Sequence, residues 1–214
     1  MSSDYTQTLF HSEEAQSIIG DLQSYTHHTQ VPNLGDFQRI LLQADGTVTA
    51  ILEAYLNEQI QVVKLSESIE KINLELPNIK FNHPEEVMIR KILLQGKISQ
   101  RNFIYADSFI LINNLEQRFS HELLETNKPI GKLWSEQKVE TFKEIIHSGI
   151  EPANELANYF CIEPEENLIV RTYSVSSQGK ITMIITEKFP KNYFPKSPMN
   201  VVGCDDSTIA SNHS

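Results

Sequence analysis

The stretch NLIVRTYSVSSQGKITMIITEKFP, residues 167–190, decides how this chain is read. Apolar and β-branched residues fill both arms, and Ser177-Gln178-Gly179 breaks them with residues suited to a tight turn. The pattern predicts a β-hairpin. Side chains in a strand alternate between faces, so Ile181, Met183, Ile185, Glu187 and Phe189 share one side of the second arm. All but Glu187 are apolar. In the first arm Arg171 shares its face with Ile169, Tyr173 and Val175.

Working outward, VMIRKILLQG (87–96) and RNFIYADSFILI (101–112) predict a second antiparallel hairpin, with Arg90 on the face of Met88, Ile92 and Leu94. QIQVVKLSESI (59–69) alternates as a strand. LEQRFSHELLE (115–125) and VETFKEIIHSG (139–149) have helical spacing, the second ending at a glycine. PANELANYF (152–160) begins with proline at a first-turn position and predicts another helix. Phe37 to Leu56 is helical but broken near ADGT (44–47), where Thr47 can cap VTAILEAYL. SEEAQSIIGDLQSY (12–25) predicts a short helix, and VPNLGDF (31–37) a connector. The sum is a single α+β domain in which hairpins build an antiparallel sheet and helices cover it. Residues 1–36 form an N-terminal helical extension, 37–195 the domain and 196–214 a tail expected to be disordered.

Composition narrows the function classes. Against 18 Lys and Arg stand 28 Asp and Glu, a net charge of −10, and no basic patch offers itself to nucleic acid. The two cysteines, Cys161 and Cys204, lack metal-ligand spacing and point to a reducing compartment. The opening MSSDYTQTLFHSEEAQ has neither the basic nor the apolar region of a secretory signal. No apolar run approaches the roughly 18 residues of a membrane span. The expectation is a soluble, cytoplasmic protein.

Arg90, Arg171 and Glu187 thus each stand among apolar neighbours on a predicted strand. An unpaired buried charge costs several kcal/mol by order of magnitude, so each needs a partner. One reading makes them structural ion pairs or residents of a half-exposed face. The other makes them a pocket for a polar, anionic ligand. Spacing leaves both open. Elsewhere the signals are poor: His27-His28 has no metal-ligand companions, His121-Glu122 lies on a polar helix face, and His83 precedes a proline. GKIS (96–99) and QGK (178–180) are hairpin turns rather than phosphate loops, no nucleophile elbow occurs, and Trp134 reads as core.

Taken together, IRKILLQG (89–96), LLETNKPIGKLW (123–134) and SSQGKITMIITEKFP (176–190) resemble chorismate lyase, the 4-hydroxybenzoate synthase family. The resemblance lies in an arginine followed by an apolar strand, a Pro-[Leu/Ile]-Gly turn, and a strand closing on Thr-Glu before an aromatic residue and a proline. LLQADGTVTAILEAYLNEQ (41–59) is similar to the family's helix near its N-terminus. The resemblance covers roughly residues 37–195, and its flavour is that of the divergent cyanobacterial and plastid branch. It implies elimination of pyruvate from chorismate to give 4-hydroxybenzoate for plastoquinone or ubiquinone synthesis, with no metal or redox cofactor. Carried over residue by residue, it assigns the ring-carboxylate anchor to Arg90 and helping backbone amides to Val48 and Ile130. Gly131 gives close backbone approach, and Glu187 meets the 4-hydroxyl. ADSFI (106–110) departs from the Arg-Thr and later proline of proteobacterial members, and only Arg171 stands where their penultimate strand carries several arginines. Arg171 is then the candidate for the pyruvyl side.

Two other readings accompany this one. Effector-binding domains of some bacterial regulators resemble the same fold and bind small molecules without catalysis, but such regulators carry an N-terminal winged-helix DNA-binding domain, for which the first 36 residues are too short and too acidic. A scaffold with no small ligand predicts that Arg90 and Glu187 simply pair with each other.

Overall fold

The computed structural model describes residues 33–194 apart from 45–47, 73–74, 77–78, 81–84 and 127. The helix expected over 12–25, the turn and cap at 45–47, His27-His28, His83, Cys204 and the tail lie outside the described residues.

Helix α1 (Asp36–Gln43) and helix α2 (Val48–Leu56) precede strand β1 (Ile60–Ile72). A short pair, β2 (Glu75–Leu76) and β3 (Ile79–Lys80), leads to β4 (Glu85–Gly96) and β5 (Asn102–Leu111). Helices α3 (Gln117–Glu125) and α4 (Ile130–Gln137) come next, then β6 (Phe142–Pro152) and a one-turn helix α5 (Ala157–Phe160). Strands β7 (Asn167–Ser177) and β8 (Lys180–Pro190) form the final hairpin. The main sheet is fully antiparallel, in the order β1-β4-β5-β8-β7-β6. The α+β architecture of hairpins covered by helices is therefore the observed one.

Both expected hairpins close where the sequence places them. Gln178 and Gly179 make the two-residue turn with φ of 50° and 74°, the left-handed pair that matches strand twist, and glycine takes the larger value without strain. α1 is tied to the end of β8: buried Gln38 accepts from the Gly35 amide at 2.7 Å and donates to the Lys191 carbonyl.

The stretch 139–149 departs from its expected helix. Residues 142–152 instead form edge strand β6, paired to β7 from Phe142↔Ser176 to Pro152↔Asn167. Val139, Phe142 and Ile145 mimic a helical stripe, but Phe142 is 71% exposed and belongs to no core. The backbone groups of β7 need partners along that edge, and the β-branched Ile145, Ile146 and Ile150 suit the role. A bulge between Ile145 and His147 lets Lys143 and Ile145, before it, face the same way as Ser148 and Ile150 beyond it. PANELANYF likewise begins as strand, its Pro152 closing β6 before a 3-10 turn (Asn154–Leu156) and α5.

One face of the sheet carries two apolar clusters. Leu41, Leu42, Val48 and Leu52 from the first two helices pack on Ile92, Leu94, Ile104, Ala106 and Phe189. Phe119, Leu123, Ile130, Leu133 and Trp134 from α3 and α4 pack on Met88, Ile110, Tyr173, Val175, Met183 and Ile185. The opposite face is partly covered by α5, through Ala157 and Phe160 on Leu93, Tyr105 and Leu168.

Candidate active site

Where the two clusters meet, the helices leave a pocket of about 480 Å³, part of it open to solvent. Its floor is the sheet: Ile92 and Leu94 from β4, Ala106 and Ser108 from β5, Ile185 and Glu187 from β8, and Tyr173 from β7. Val48 and Thr49 close one side, and Pro129, Ile130, Gly131 and Trp134 the other, with Lys143 reaching in from β6.

Register explains which charges gather here. Ile92, Ala106, Glu187 and Arg171 lie in one cross-strand row, and Arg90, Ser108, Ile185 and Tyr173 in the next. Period-two alternation places both rows on the pocket face. Glu187 is 6% exposed and held at both oxygens. Arg171 Nε donates to Oε2 at 2.7 Å, and the Tyr173 hydroxyl donates to Oε1 at 3.0 Å. Arg171 Nη1 donates to the carbonyls of Leu41 and, at 3.4 Å, Ala44, where α1 ends. Burial works to lower the Arg171 pKa, but Glu187 and Tyr173 together outweigh it and leave the guanidinium above its ordinary value. Burial first, and the Glu187 charge second, drive the Tyr173 phenol well above its ordinary range, so it stays a hydrogen-bond donor.

Arg90 is the contrast. It is 1% exposed, and none of its three guanidinium nitrogens has a hydrogen-bond partner among the described residues. Its ion contact is Glu67 of β1, 3.5 Å from Nε, whose Oε2 also lacks a hydrogen bond. Burial lowers the Arg90 pKa, with Glu67 pulling the other way. Arg90 is not among the lining residues but is the direct cross-strand neighbour of pocket-lining Ser108.

Val48 opens α2 and Ile130 opens α4, so two helices begin at this pocket. The stretch PIG is the first turn of a helix, with Pro129 as N-cap, where the sequence suggested a turn. The Pro129 carbonyl accepts from the amides of Lys132 (2.9 Å) and Leu133 (3.2 Å), which leaves those of Ile130 and Gly131 outside the helical ladder. Opening-turn amides and the positive end of the helix dipole suit an anion.

Of the six residues singled out from sequence, Glu187, Val48, Ile130 and Gly131 line the pocket. Arg90 and Arg171 stand on the same face without lining it, and Arg171 is turned onto Glu187 and the end of α1. Arg90 and Glu187 do not pair with each other, as a scaffold would have had it: Glu187 pairs with Arg171. Sequence reading missed Tyr173 as a partner of Glu187, although its place two residues from Arg171 on the same face was a usable signal. It missed Lys143 because β6 was taken for a helix. Ala106 and Ser108, in the segment that departs from the proteobacterial pattern, prove to be floor residues. Among the described residues, no group of three or more His, Cys, Asp or Glu could hold a metal ion, and no helix is long and apolar enough to cross a membrane.

Comparison with known proteins bears on this geometry. The fold is similar to that of PhnF from Mycobacterium smegmatis, with a TM-score of 0.56 at 8% identity, covering 72% of this chain and 68% of that one. The isolated effector domain of PhnF gives a TM-score of 0.54 at 8% identity, covering 71% of this chain and 93% of that domain. At such identity the likeness concerns the fold alone. In sequence, the chain is 29% identical to a chorismate pyruvate-lyase of Mycobacterium leprae over 161 residues, 75% of this chain and 77% of the relative. It is 28% identical to a chorismate pyruvate-lyase of Mycobacterium tuberculosis over 169 residues, 75% and 82% of the two chains. Both relatives are mycobacterial, and they lend no support to the narrower cyanobacterial and plastid branch. The family model described as chorismate pyruvate-lyase Rv2949c-like matches residues 42–194, a span that takes in every lining residue of the pocket. The chain therefore belongs to the Rv2949c-like chorismate pyruvate-lyase family.

Proposed function

We propose that the protein is a chorismate lyase that converts chorismate into 4-hydroxybenzoate and pyruvate at this pocket, supplying 4-hydroxybenzoate to quinone synthesis. The observation that carries the reading is Arg90. A buried guanidinium with no hydrogen bond on any nitrogen among the described residues, and a single carboxylate 3.5 Å off, is poorly compensated, and chorismate presents a ring carboxylate to meet it.

On this reading Arg90 grips that carboxylate bidentately, assisted by the amides at the start of α2 and α4. Glu187 lies two strands across the sheet from Arg90, about 10 Å of backbone spacing. A ring with a carboxylate at one end and a hydroxyl at the other fits between the two side chains. Arg171 and Tyr173 fix the Glu187 carboxylate, so it presents a preset acceptor to the 4-hydroxyl. Held by two donors, the carboxylate has orientation of the substrate as its first task. The proton on C4 leaves toward this carboxylate as the bond between C3 and the ether oxygen breaks. That bond's electron pair departs with enolpyruvate, which takes up a proton to become pyruvate. The ring becomes aromatic, no electrons enter or leave, and one substrate gives one of each product. Ile92, Leu94, Ala106 and Ile185 keep water from the ring and match the flat aromatic product.

Purified protein incubated with chorismate is expected to release 4-hydroxybenzoate and pyruvate in equal amounts. Well-folded protein that binds 4-hydroxybenzoate yet releases neither product is a binding module and not an enzyme.

A further inference from the structure

Chorismate carries a second carboxylate, on its enolpyruvyl group, and the sequence offered Arg171 for it. The structure gives Arg171 another occupation: Nε holds Glu187 and Nη1 holds the carbonyls at the end of α1. A different cation reaches the pocket. Among the described residues that line it, Lys143 and Glu187 alone are charged. Lys143 is half-buried, and its Nζ lies 5.1 Å from the Tyr173 ring centroid and 5.5 Å from that of Trp134. Two aromatic faces thus steady the ammonium beside the carboxylate-bearing floor, where partial desolvation strengthens its pull on an anion.

Position separates its task from that of Arg90. Arg90 stands on β4, Glu187 on β8 and Lys143 on β6, so the sheet presents cation, acid, cation in that order. β4 and β6 lie four strand spacings apart, about 19 Å, so the two cations do not share one carboxylate. The bulge after Ile145 sets which residues of this edge face the pocket. Lys143 pairs with Val175 and Ile145 with Tyr173, both residues of the pocket face.

We infer that Lys143 is the specificity residue for the enolpyruvyl carboxylate: it distinguishes the substrate, which carries that group, from the aromatic product, which lacks it. The inference rests on the lyase reading above and adds to it a residue the resemblance did not supply. As the C3–O bond breaks, the same ammonium faces the negative charge gathering on the departing enolpyruvate.

The test compares wild type, Lys143→Met and Lys143→Arg with two ligands, by steady-state turnover of chorismate and by calorimetric binding of 4-hydroxybenzoate. Lys143→Met is expected to lower kcat/KM for chorismate by about 10- to 100-fold while leaving the Kd for 4-hydroxybenzoate within about twofold. Lys143→Arg restores most of the loss because it keeps the charge. Unchanged product binding also certifies the fold of each variant. An active wild type whose Lys143→Met variant keeps its kcat/KM, or loses affinity for both ligands alike, overturns the assignment and leaves the lyase reading standing. A wild type that binds chorismate without converting it overturns the lyase reading. The assignment then survives if Lys143→Met weakens chorismate binding and spares that of 4-hydroxybenzoate. Binding of neither ligand overturns both.

Discussion

Two arginines stand on one face of one sheet, each 1% exposed and each near the middle of its strand, yet they keep opposite company. Arg171 has an acid directly across the strand pair, a tyrosine beside it and the carbonyls of a helix end above it. Only its Nη2 lacks a partner among the described residues. Arg90 has none for any nitrogen, and its acid stands 3.5 Å off in a poor geometry. Equal burial with unequal pairing means unequal roles. The β7–β8 end of the face is a finished ion-pair network that sets the position of Glu187. The β4 end holds a buried charge with no hydrogen bond among the described residues, which on the proposed function an anion from outside completes.

The hardest way to break this contrast is to remove one acid. Glu187→Ala leaves the Arg171 guanidinium buried and uncompensated, and is expected to lower unfolding free energy by roughly 3–5 kcal/mol in urea titrations. A loss below about 1 kcal/mol would mean that the network is not what holds Arg171. Arg90→Met is the mirror experiment. Removing a buried charge that makes no hydrogen bond among the described residues should leave stability within about 1 kcal/mol of wild type, or raise it. The same change is expected to weaken 4-hydroxybenzoate binding by about 100-fold or more, since two charge-assisted hydrogen bonds go with it. If Arg90→Met unfolds the protein, the two arginines are alike after all.

Tyr173→Phe probes the finished network more gently. It removes one donor from a buried carboxylate and is expected to cost roughly 1.5–3 kcal/mol at neutral pH. Its pH dependence carries the sharper information. The folded Tyr173 pKa is raised, by burial first and Glu187 second, while an unfolded tyrosine ionises near pH 10. Stability owed to this group is therefore fully present below about pH 10 and is lost as pH rises toward the folded value. Denaturant titrations of wild type and Tyr173→Phe should give a constant difference up to about pH 10 and a shrinking one above it. A difference that stays flat to higher pH would mean that the phenol is not protected.

The same contrast marks what the sequence could disclose. Both hairpins, and the apolar side of its own strand on which each of Arg90, Arg171 and Glu187 stands, were legible because period-two alternation repeats over ten or more residues in β4, β7 and β8. Who pairs with whom was not, because a partner across strands depends on register. Glu187 finds Arg171 through an adjacent strand, whereas Glu67 reaches Arg90 only after a register shift between Lys64 and Ser66. Edge strand β6 was illegible for a related reason. An edge buries little, so exposed Phe142 carries no information about a core and yet completes a helical stripe. Losing β6 meant losing Lys143. The start of α4 had a signal that went unused, since a proline at the head of an apolar run commonly opens a helix.

Glu67 offers the finest test, because on paper it is to Arg90 what Glu187 is to Arg171. Glu67 directly faces Arg90 in the β1–β4 register, as Glu187 faces Arg171 between β7 and β8. The difference is exposure and geometry. The Glu67 side chain is 20% exposed against 8% for Glu187, it also receives the Lys64 ammonium at 2.8 Å, and no hydrogen bond joins it to Arg90. Glu67→Gln should therefore cost no more than about 1 kcal/mol of stability, several times less than Glu187→Ala. Its effect on ligands should carry the opposite sign. Glu67 is a negative charge beside the place where an anion would meet Arg90, so neutralising it relieves repulsion and is expected to tighten 4-hydroxybenzoate binding a few-fold. Weaker binding in Glu67→Gln would make Glu67 the residue that orients Arg90, and the β4 end would then be a finished network too.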